Sequence, residues 1–344
     1  MKRKVLAVML AGTMALTMAA CGSKPAATDT TAAGAAEAKT SAAAETKSSE
    51  DAEAASGETY KIGVLQLVQH AALDAANEGF FAALDNAGVK YEADQQNASG
   101  EQSNCQTIAE KLANDGDDLI LAIATPAAQA VAGVTSEIPV ILTAVTDPAE
   151  SGLVEDNNVP GGNVTGTSDL TPVNEQIDLL QKLVPDAKTV GILFCSAESN
   201  SEIQAQMARE ALDAAGIAHE DYTVSSSNEI QTVVESMIGK VDAIYAPTDN
   251  MIAAGMATVA MVANDNGIPT ICGEAGMVEA GGLATYGIDY YQLGYMAGEQ
   301  AIDILVNGKT AAETPIGYLP AERCELTINE ETAQTLGIDT SVVR

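Results

Sequence analysis

The sequence lacks tryptophan entirely and has only three phenylalanines and two histidines among 344 residues. Sugar-binding sites commonly stack the pyranose ring on large aromatic faces, so the absence of tryptophan argues against a sugar ligand without excluding one. Basic residues are also scarce, and the formal net charge is −32. This acidity argues against nucleic acid or anionic lipid as a partner, because both carry the same sign of charge.

Few residues are suited to a metal, redox or catalytic centre. The cysteines at 105, 195, 272 and 324 form no CxxC pair; buried free thiols fit them best, and one disulfide stays open. The sequence contains no GxSxG, P-loop or HExxH pattern, which are signatures of hydrolases, nucleotide-binding enzymes and metalloproteases. We therefore expect a protein that is not an enzyme and that binds neither a metal nor a cofactor.

The first 58 residues have the composition of an export signal followed by a tether. A basic start, a short apolar stretch and small residues before Cys21 predict a signal peptide over residues 1–20. The residues around Cys21 resemble a lipobox, which implies cleavage before this cysteine and a diacylglycerol on its sulfur. An uncleaved anchor or a simple secretory signal is the alternative. Residues 21–58 lack the apolar content of a folded core and predict a lipidated cysteine on a disordered tether.

The rest of the chain is too long for one ordinary core and contains an internal repeat. The first matching pair is KIGVLQL (61–67) with TVGILF (189–194), and the second is NEGFFAALDNAGVKY (77–91) with QAQMAREALDAAGIAHEDY (204–222). The spacing from Gly63 to Gly88 equals the spacing from Gly191 to Gly216. Each half thus begins with a strand that leads into an amphipathic helix ending at glycine.

The repeat continues through three further pairs of apolar runs. These are LILAIATP (119–126) with AIYAPTDN (243–250), IPVILTAV (138–145) with IPTICGEA (268–275), and NVTGTSDL (163–170) with LATYGIDY (283–290). Short apolar runs between helical patterns indicate parallel strands buried on both faces. The sequence therefore predicts an α/β protein with two similar doubly wound parallel-sheet lobes. The loops after the strand ends would face each other across a cleft, with helix N-termini beside them.

Several phrases in the sequence carry a resemblance to a known family. They are QHAALDAANEGF (69–80), AVTDPAESGLV (144–154), GNVTGTSD (162–169) and APTDN (246–250). With the lipobox and the tether, they resemble the solute-binding lipoproteins of ABC importers, in the branch that includes tryptophan- and tyrosine-binding members. The resemblance covers nearly all of residues 59–344.

This resemblance implies the type I periplasmic-binding-protein fold, in which a three-segment hinge joins the lobes. By analogy, lobe 1 is 59–169 plus 291–318, and lobe 2 is 170–290 plus 319–344. It also implies a monomer, lipid-anchored on the outer face of the cytoplasmic membrane, that captures an amino acid with an aromatic or large apolar side chain. An ABC permease in that membrane would recognise the closed form. A nucleoside or sugar in the same cleft, or a role as a surface sensor or adhesin, are the alternatives.

Polar clusters at the strand ends of the second half supply most of the candidate ligand-binding residues. They are Ser196, Glu198, Asn200, Ser201, Thr248, Asp249, Asn250, Asp289 and Tyr290. Asp249 either caps the following helix or receives a ligand ammonium, and both are compatible. The loop over 196–201 is either an N-cap cluster or a grip on a ligand carboxylate by amides and hydroxyls, since no arginine follows a strand end. Tyr290 either packs in the core or contacts an aromatic ligand.

The first half supplies a smaller set of candidates at matching positions, namely Gln69, His70, Thr125, Thr146 and Asp147. His70 stands in a strand-to-helix loop and is either structural or part of the pocket lining. For Thr125, Thr146 and Asp147 the alternative to ligand contact is turn chemistry beside a proline.

Overall fold

The computed structural model describes residues 57–320 and 323–344. The predicted signal peptide, the predicted lipidation site Cys21 and almost all of the predicted tether lie outside these residues. Within the described residues, no helix combines the length and the apolar character that crossing a membrane requires.

The described chain contains twelve strands and ten α-helices. The strands are β1 (Thr59–Gln66), β2 (Lys90–Asn97), β3 (Leu119–Ile123), β4 (Val140–Val145), β5 (Val164–Ser168), β6 (Thr189–Cys195), β7 (Ala218–Val224), β8 (Ala243–Ala246), β9 (Thr270–Cys272), β10 (Ala284–Gly287), β11 (Gly317–Tyr318) and β12 (Glu325–Ile328). The helices are α1 (Ala71–Asn86), α2 (Gln102–Asp115), α3 (Thr125–Ala132), α4 (Val173–Leu183), α5 (Ser199–Ala215), α6 (Ile230–Met237), α7 (Asn250–Asp265), α8 (Ala275–Glu279), α9 (Tyr290–Leu305) and α10 (Glu330–Leu336).

These strands form two six-stranded sheets with matching strand orders. The first runs β11-β5-β4-β3-β1-β2 and the second runs β12-β10-β9-β8-β6-β7. Every pairing in the first sheet is parallel. In the second sheet only the pairing of β12 with β10 is antiparallel. The predicted fold of two similar, parallel-dominated α/β lobes is confirmed.

The internal repeat has a direct structural counterpart in the turns that open each lobe. Gly88 and Gly216 follow α1 and α5, the helices that come after β1 and β6, with φ of 69° and 71°, a region that favours glycine. Before the third strand of each lobe, Asp118 accepts the Lys61 backbone N–H at 2.8 Å, and Asp242 accepts the Thr189 N–H at 2.9 Å. Each aspartate therefore fixes the start of the strand beside it.

Helix α9 packs on the first lobe, although it follows the strands of the second. Its residues Leu293, Ala297 and Ala301 are buried in the same core as β1, β3 and β4. The helix also approaches α1 very closely, since a Cβ placed on Gly294 would lie 1.9 Å from the Ala76 carbonyl oxygen. The contact with α1 therefore requires glycine at position 294.

The chain passes between the sheets three times: between β5 and β6, between β10 and β11, and between β11 and β12. The third passage includes residues 321–322, which lie outside the described residues. Cys105, Cys195 and Cys272 are buried free thiols, and Cys324 is a half-buried one.

Candidate functional site

The carboxyl ends of the strands in the two lobes touch each other directly. Side chains of the first lobe meet groups of the second in these hydrogen bonds: His70 with Asn250 (3.3 Å), Thr146 with Gln204 (3.1 Å), Gln102 with the Ala197 carbonyl (2.8 Å), and Gln129 with Ser199 (3.3 Å). Since these bonds are direct, the cleft is closed in this structure.

A small enclosed space, which we call the inner cavity, lies between the lobes. Its walls are His70, Leu73, Asp169, Thr248, Asp249, Asn250, Ala253, Glu274 and Tyr290. The volume is about 10 Å³, which is room for roughly one water-sized group. The strand-end residues of both lobes thus converge on a space that a single small polar group would fill.

Asp249 is fully buried at the N-cap of α7. One carboxylate oxygen, Oδ1, accepts the Ile252 backbone N–H at 2.7 Å, and the other, Oδ2, accepts the Cys195 N–H at 2.5 Å. Burial raises the pKa of the Asp249 carboxyl, and these backbone bonds oppose the rise. Asp249 therefore caps its helix and ties it to the end of β6, and contact with a ligand stays a prediction.

Glu198 precedes α5 but holds the N-terminus of α7. Its Oε1 accepts the Met251 N–H at 3.0 Å, and its Oε2 accepts the Asn250 backbone N–H at 3.3 Å and the Asn250 side-chain Nδ2–H at 2.5 Å. The side chain is almost fully buried. Burial first, and the nearby charge of Asp249 second, raise the pKa of Glu198 to about 8.

Two further carboxyl groups, Asp169 and Glu274, face the inner cavity. Asp169 accepts the Tyr290 hydroxyl at 2.8 Å and the Thr146 hydroxyl at 3.2 Å, and burial raises its pKa to about 6. Glu274 caps the short helix α8 through the Gly276 N–H at 2.6 Å, and burial raises its pKa to about 7. The Asp169 and Tyr290 contact links the end of β5 to the start of α9.

These four buried carboxyl groups have no cationic partner among the described residues. The ion pairs in that part of the chain involve Lys111, Arg209, His219, Lys309 and Arg344. Buried carboxylates without a counter-charge are destabilised by desolvation, and Glu198 and Glu274 also by neighbouring carboxylates, which is why the pKa values of all four rise. The site therefore favours an added cation. In the described residues, no group of three or more His, Cys, Asp and Glu side chains has the arrangement of a metal site.

His70 lines the inner cavity from the first lobe and contacts the acidic cluster through Asn250. Burial lowers the pKa of its imidazole, so the ring is neutral at ordinary pH. A ring protonated on Nε2 donates to Asn250 Oδ1 at 3.3 Å, and Asn250 in turn donates to Glu198. The buried Nδ1 atom of His70 then keeps an unused acceptor site.

A buried network on α5 connects the remaining central candidates. Asn200 donates to the Thr248 carbonyl at 3.3 Å and also to Ser201. Gln204 accepts the Thr248 N–H at 3.2 Å and donates to the hydroxyls of Thr248 and Thr146. Thr125 is buried in the first turn of α3, and its hydroxyl has no partner among the described residues.

Four other predicted site residues lie away from the walls of the inner cavity. Gln69 and Ser196 are exposed. Asp289 is exposed as well and caps α9 through the Gln292 N–H at 3.0 Å. Asp147 holds a turn by accepting the N–H groups of Ala149 and Glu150, each at 3.1 Å. Their proposed ligand contacts stay predictions.

Three residues of the site were absent from the sequence-based set. Asp169 and Glu274 follow β5 and β9, so their position at strand ends was a usable signal. Gln204 lies inside α5, on a face it shares with the buried Ala205, Ala208 and Leu212. A polar residue on such an apolar face was the signal for it.

The family follows from comparison with known proteins. A family model described as "ABC transporter substrate binding protein" matches residues 61–342. The chain belongs to this family. The family resemblance predicted from the sequence motifs is thereby confirmed, and the two-lobed fold with its closed cleft belongs to a substrate-binding protein.

Two solved structures of relatives, one with a ligand and one ligand-free and open, can be compared with this substrate-binding protein. An ABC domain from Streptococcus pneumonia, solved in complex with L-Trp, is 40% identical, covers 83% of this chain and 98% of that one, and has a TM-score of 0.80. A ligand-free, open substrate-binding protein with adhesive properties from Clostridium difficile is also 40% identical, covering 82% and 96%, but its TM-score is 0.62. At equal identity, the chain therefore superposes better on the L-Trp complex than on the ligand-free, open relative.

Comparison with curated proteins gives a match that is named for its ligand. The tyrosine-binding protein of Clostridioides difficile (strain R20291) is 43% identical over 279 residues, which are 80% of this chain and 80% of that protein.

Proposed function

We propose that this substrate-binding protein captures an amino acid with an aromatic or large apolar side chain and delivers it to the permease of an ABC importer. The main observation in support is that four buried carboxyl groups surround the cleft and have no cationic partner among the described residues. The names of two relatives, a tyrosine-binding protein and an L-Trp complex, support the same ligand class.

The ligand ammonium is the group best matched to the inner cavity. An ammonium is close in size to one water molecule, and the cavity holds about one such group. Asp249, Asp169 and Glu274 would supply its counter-charge, Glu198 would add to the negative potential, and His70 Nδ1 would accept one of its hydrogens. An ion pair formed away from water is much stronger than one at the surface.

The ligand carboxylate would be held without arginine. Arg209 is engaged with Glu202 and Asp221 near the surface, and no arginine lines the inner cavity. Backbone amides at helix N-termini remain, with Thr125, Asn200 and Ser201 as the candidates, and the Thr125 hydroxyl has no other partner among the described residues. Gln69, Ser196, Asp147 and Asp289 would contribute only in an arrangement of the lobes different from this one.

The three passages of the chain between the sheets would act as the hinge. The lobes would be 59–169 plus 291–318 and 170–290 plus 319–344, so that Asp169 and Tyr290 lie at two of the passages. A ligand that contacts both lobes stabilises the closed form by its differential affinity, and the permease would recognise that form. Such a protein carries its ligand unchanged and has no enzymatic activity.

The N-terminal segment would anchor the protein. Lipidation of Cys21 and the tether over residues 21–58 would hold the protein, as a monomer, on the outer face of the cytoplasmic membrane. A lipid chain gains about 0.8 kcal/mol per buried methylene. Mass spectrometry of the N-terminal peptide would test this: a diacylglycerol on Cys21 supports anchoring, and a free thiol contradicts it.

The amino-acid assignment is tested with ligand analogues in a thermal-shift assay. L-Tyrosine and L-tryptophan should raise the melting temperature, because stabilisation grows as RT ln(1 + [L]/Kd). The analogue 3-(4-hydroxyphenyl)propionate, which lacks the ammonium, should give no shift at the same concentration, and ribose and adenosine should give none. A shift with ribose or adenosine and none with any amino acid would overturn the assignment.

A role in adhesion is a second candidate, because one relative at 40% identity is described as having adhesive properties. In that case the cleft would only regulate the surface that adheres. Cell-binding assays with and without L-tyrosine would separate the two roles, since a transport role alone predicts no adhesion in either condition.

A further inference from the structure

A second space in the cleft is lined by Glu198, whose hydrogen-bond partner Asn250 lines the inner cavity. It is lined by residues of both lobes and has a volume of about 230 Å³. We call it the mouth pocket, because several of its lining residues, such as Glu101 and Ser225, are exposed.

Only the mouth pocket, of these two spaces, can hold an aromatic ring. The inner cavity is about 10 Å³, whereas the mouth pocket approaches the 300 Å³ or so at which small-molecule sites begin. Leu67, Pro126 and Met251 give it apolar walls from both lobes. Methionine sulfur also makes favourable contacts with aromatic rings.

The outer end of the mouth pocket presents hydrogen-bond acceptors. The Ser225 hydroxyl donates to Glu229 at 2.9 Å, so its oxygen is left as an acceptor. The Gln102 amide nitrogen donates to the Ala197 carbonyl at 2.8 Å, which leaves the amide oxygen as an acceptor. Glu101 adds a carboxylate. An acceptor-rich rim matches a ligand group that donates a hydrogen bond and repels a negatively charged one.

We propose that the mouth pocket is the side-chain subsite of the ligand and that its rim selects aromatic amino acids whose ring carries a hydrogen-bond donor, namely a phenol or an indole. This inference rests on the proposed amino-acid function. Because the rim is open to water, a ring without a donor loses one modest bond rather than leaving buried groups unpaired. We therefore expect L-tyrosine to bind about tenfold more tightly than L-phenylalanine.

The test compares matched variants by isothermal titration calorimetry with L-tyrosine and L-phenylalanine. Ala197→Leu fills the mouth pocket from an exposed position before α5, and Ala214→Leu makes the same change at the exposed far end of that helix. Ala197→Leu should weaken L-tyrosine binding at least about thirtyfold, and Ala214→Leu less than about twofold. The double variant Glu101→Ala/Ser225→Ala should reduce the tyrosine preference below about threefold.

The outcomes distinguish a failure of the proposed subsite from a failure of the proposed amino-acid function. If Ala197→Leu binds L-tyrosine as Ala214→Leu does, the ring lies elsewhere and the subsite is wrong while the function stands. If the double variant keeps the full tyrosine preference, or the unaltered protein has none, the role of the rim is wrong. If neither the unaltered protein nor Ala214→Leu binds any amino acid, the proposed function itself fails. Ser225→Leu narrows the pocket from a different segment and serves if Ala197→Leu does not fold.

Discussion

At the residue scale, the buried charge of Glu198 favours binding of a cationic ligand but destabilises the ligand-free protein. It satisfies two backbone N–H groups at the start of α7, yet it is buried beside Asp249 with no cation among the described residues. Removing a buried charge relieves desolvation, whereas removing an acceptor leaves a donor unpaired. In the ligand-free protein, losing the charge of Glu198 therefore raises stability, whereas losing its acceptor oxygens lowers stability. For a cationic ligand, both losses weaken binding.

Glu198→Gln should therefore leave folding nearly intact and weaken binding. The amide keeps one acceptor for α7 and removes the charge, so the free energy of unfolding at pH 8 should change by less than about 2 kcal/mol. L-Tyrosine affinity should fall at least tenfold, which corresponds to about 1.4 kcal/mol. Chemical denaturation and calorimetry measure the two quantities. Glu299→Gln, an exposed change on α9, is the control; equal affinity in both variants would remove Glu198 from the ligand site.

Chain position alone predicted which polar residues lie at strand ends. Thr248 and Asp249 follow β8, Asn250 begins the helix after it, and all three line the inner cavity, while their contact with a ligand stays a prediction. Sequence reasoning did not show that Glu198 caps α7 rather than its own helix, because that contact joins residues more than fifty positions apart. Nor did it show that Asp289 points to solvent, since an N-cap aspartate has the same sequence pattern in either case.

At the element scale, α5 contacts the other lobe through the buried side chain of Gln204 as well as through Ser199 at its start. Gln204 lies one turn after the first residues of α5 and reaches Thr146 at the end of β4, in the other lobe. The same side chain accepts the Thr248 N–H at the end of β8. The bond to Thr146 exists only when the lobes are together, so it stabilises the closed form selectively.

Gln204→Leu should shift the protein toward an open form. It keeps much of the side-chain volume but loses the bond to Thr146 and leaves the Thr248 N–H unpaired, at a cost of about 1–3 kcal/mol. Small-angle scattering with saturating L-tyrosine should give a larger radius of gyration than in the unaltered protein, and affinity should fall about tenfold. Gln206→Leu, on the exposed face of the same helix, should change neither. A compact Gln204→Leu variant would show that this bond is not needed for closure.

At the scale of the whole molecule, the repeat predicted most of the fold. Five strands of one lobe match five strands of the other, and four of these five pairs are visible in the sequence as matching apolar runs. The strand orders of the two sheets agree as well. The sixth strands were harder to foresee. Strand β11 has two residues and β12 has four, none of them fully buried, so neither has an apolar run that marks a central strand. The opposite directions of β11 and β12 are likewise set by tertiary packing.

The acidic cleft predicts an unusual pH dependence for the ligand-free protein. Glu274 and Glu198 have pKa values of about 7 and about 8 when folded, and both lose their protons near their ordinary value of 4.5 when unfolded. Between pH 6.5 and 8 the folded state thus holds more protons than the unfolded state, and stability falls as pH rises. His70, with its lowered pKa, acts in the opposite direction only below its ordinary value of 6.5.

The melting temperature of the ligand-free protein should accordingly fall from pH 6.5 to pH 8, and the fall should be smaller in Glu198→Gln. An ammonium ligand favours the ionised carboxylates, so L-tyrosine should bind more tightly and raise the melting temperature more at pH 8 than at pH 6.5. Calorimetry in buffers of different ionisation enthalpy should show proton release on binding. A melting temperature that rises over this pH range, together with proton uptake, would contradict the arrangement of charges described above.

The placement of β11 and β12 also has a consequence for synthesis. Each sheet gains its outermost strand from residues 317–328, long after its other strands have been made. A growing chain emerges from the ribosome at about 5–20 residues per second, so both lobes stay unfinished until nearly the whole chain has appeared. Pairings between such distant segments also form slowly. The export proposed from the N-terminal segment would benefit from this delay, because a chain that still lacks these edge strands is not yet fully folded.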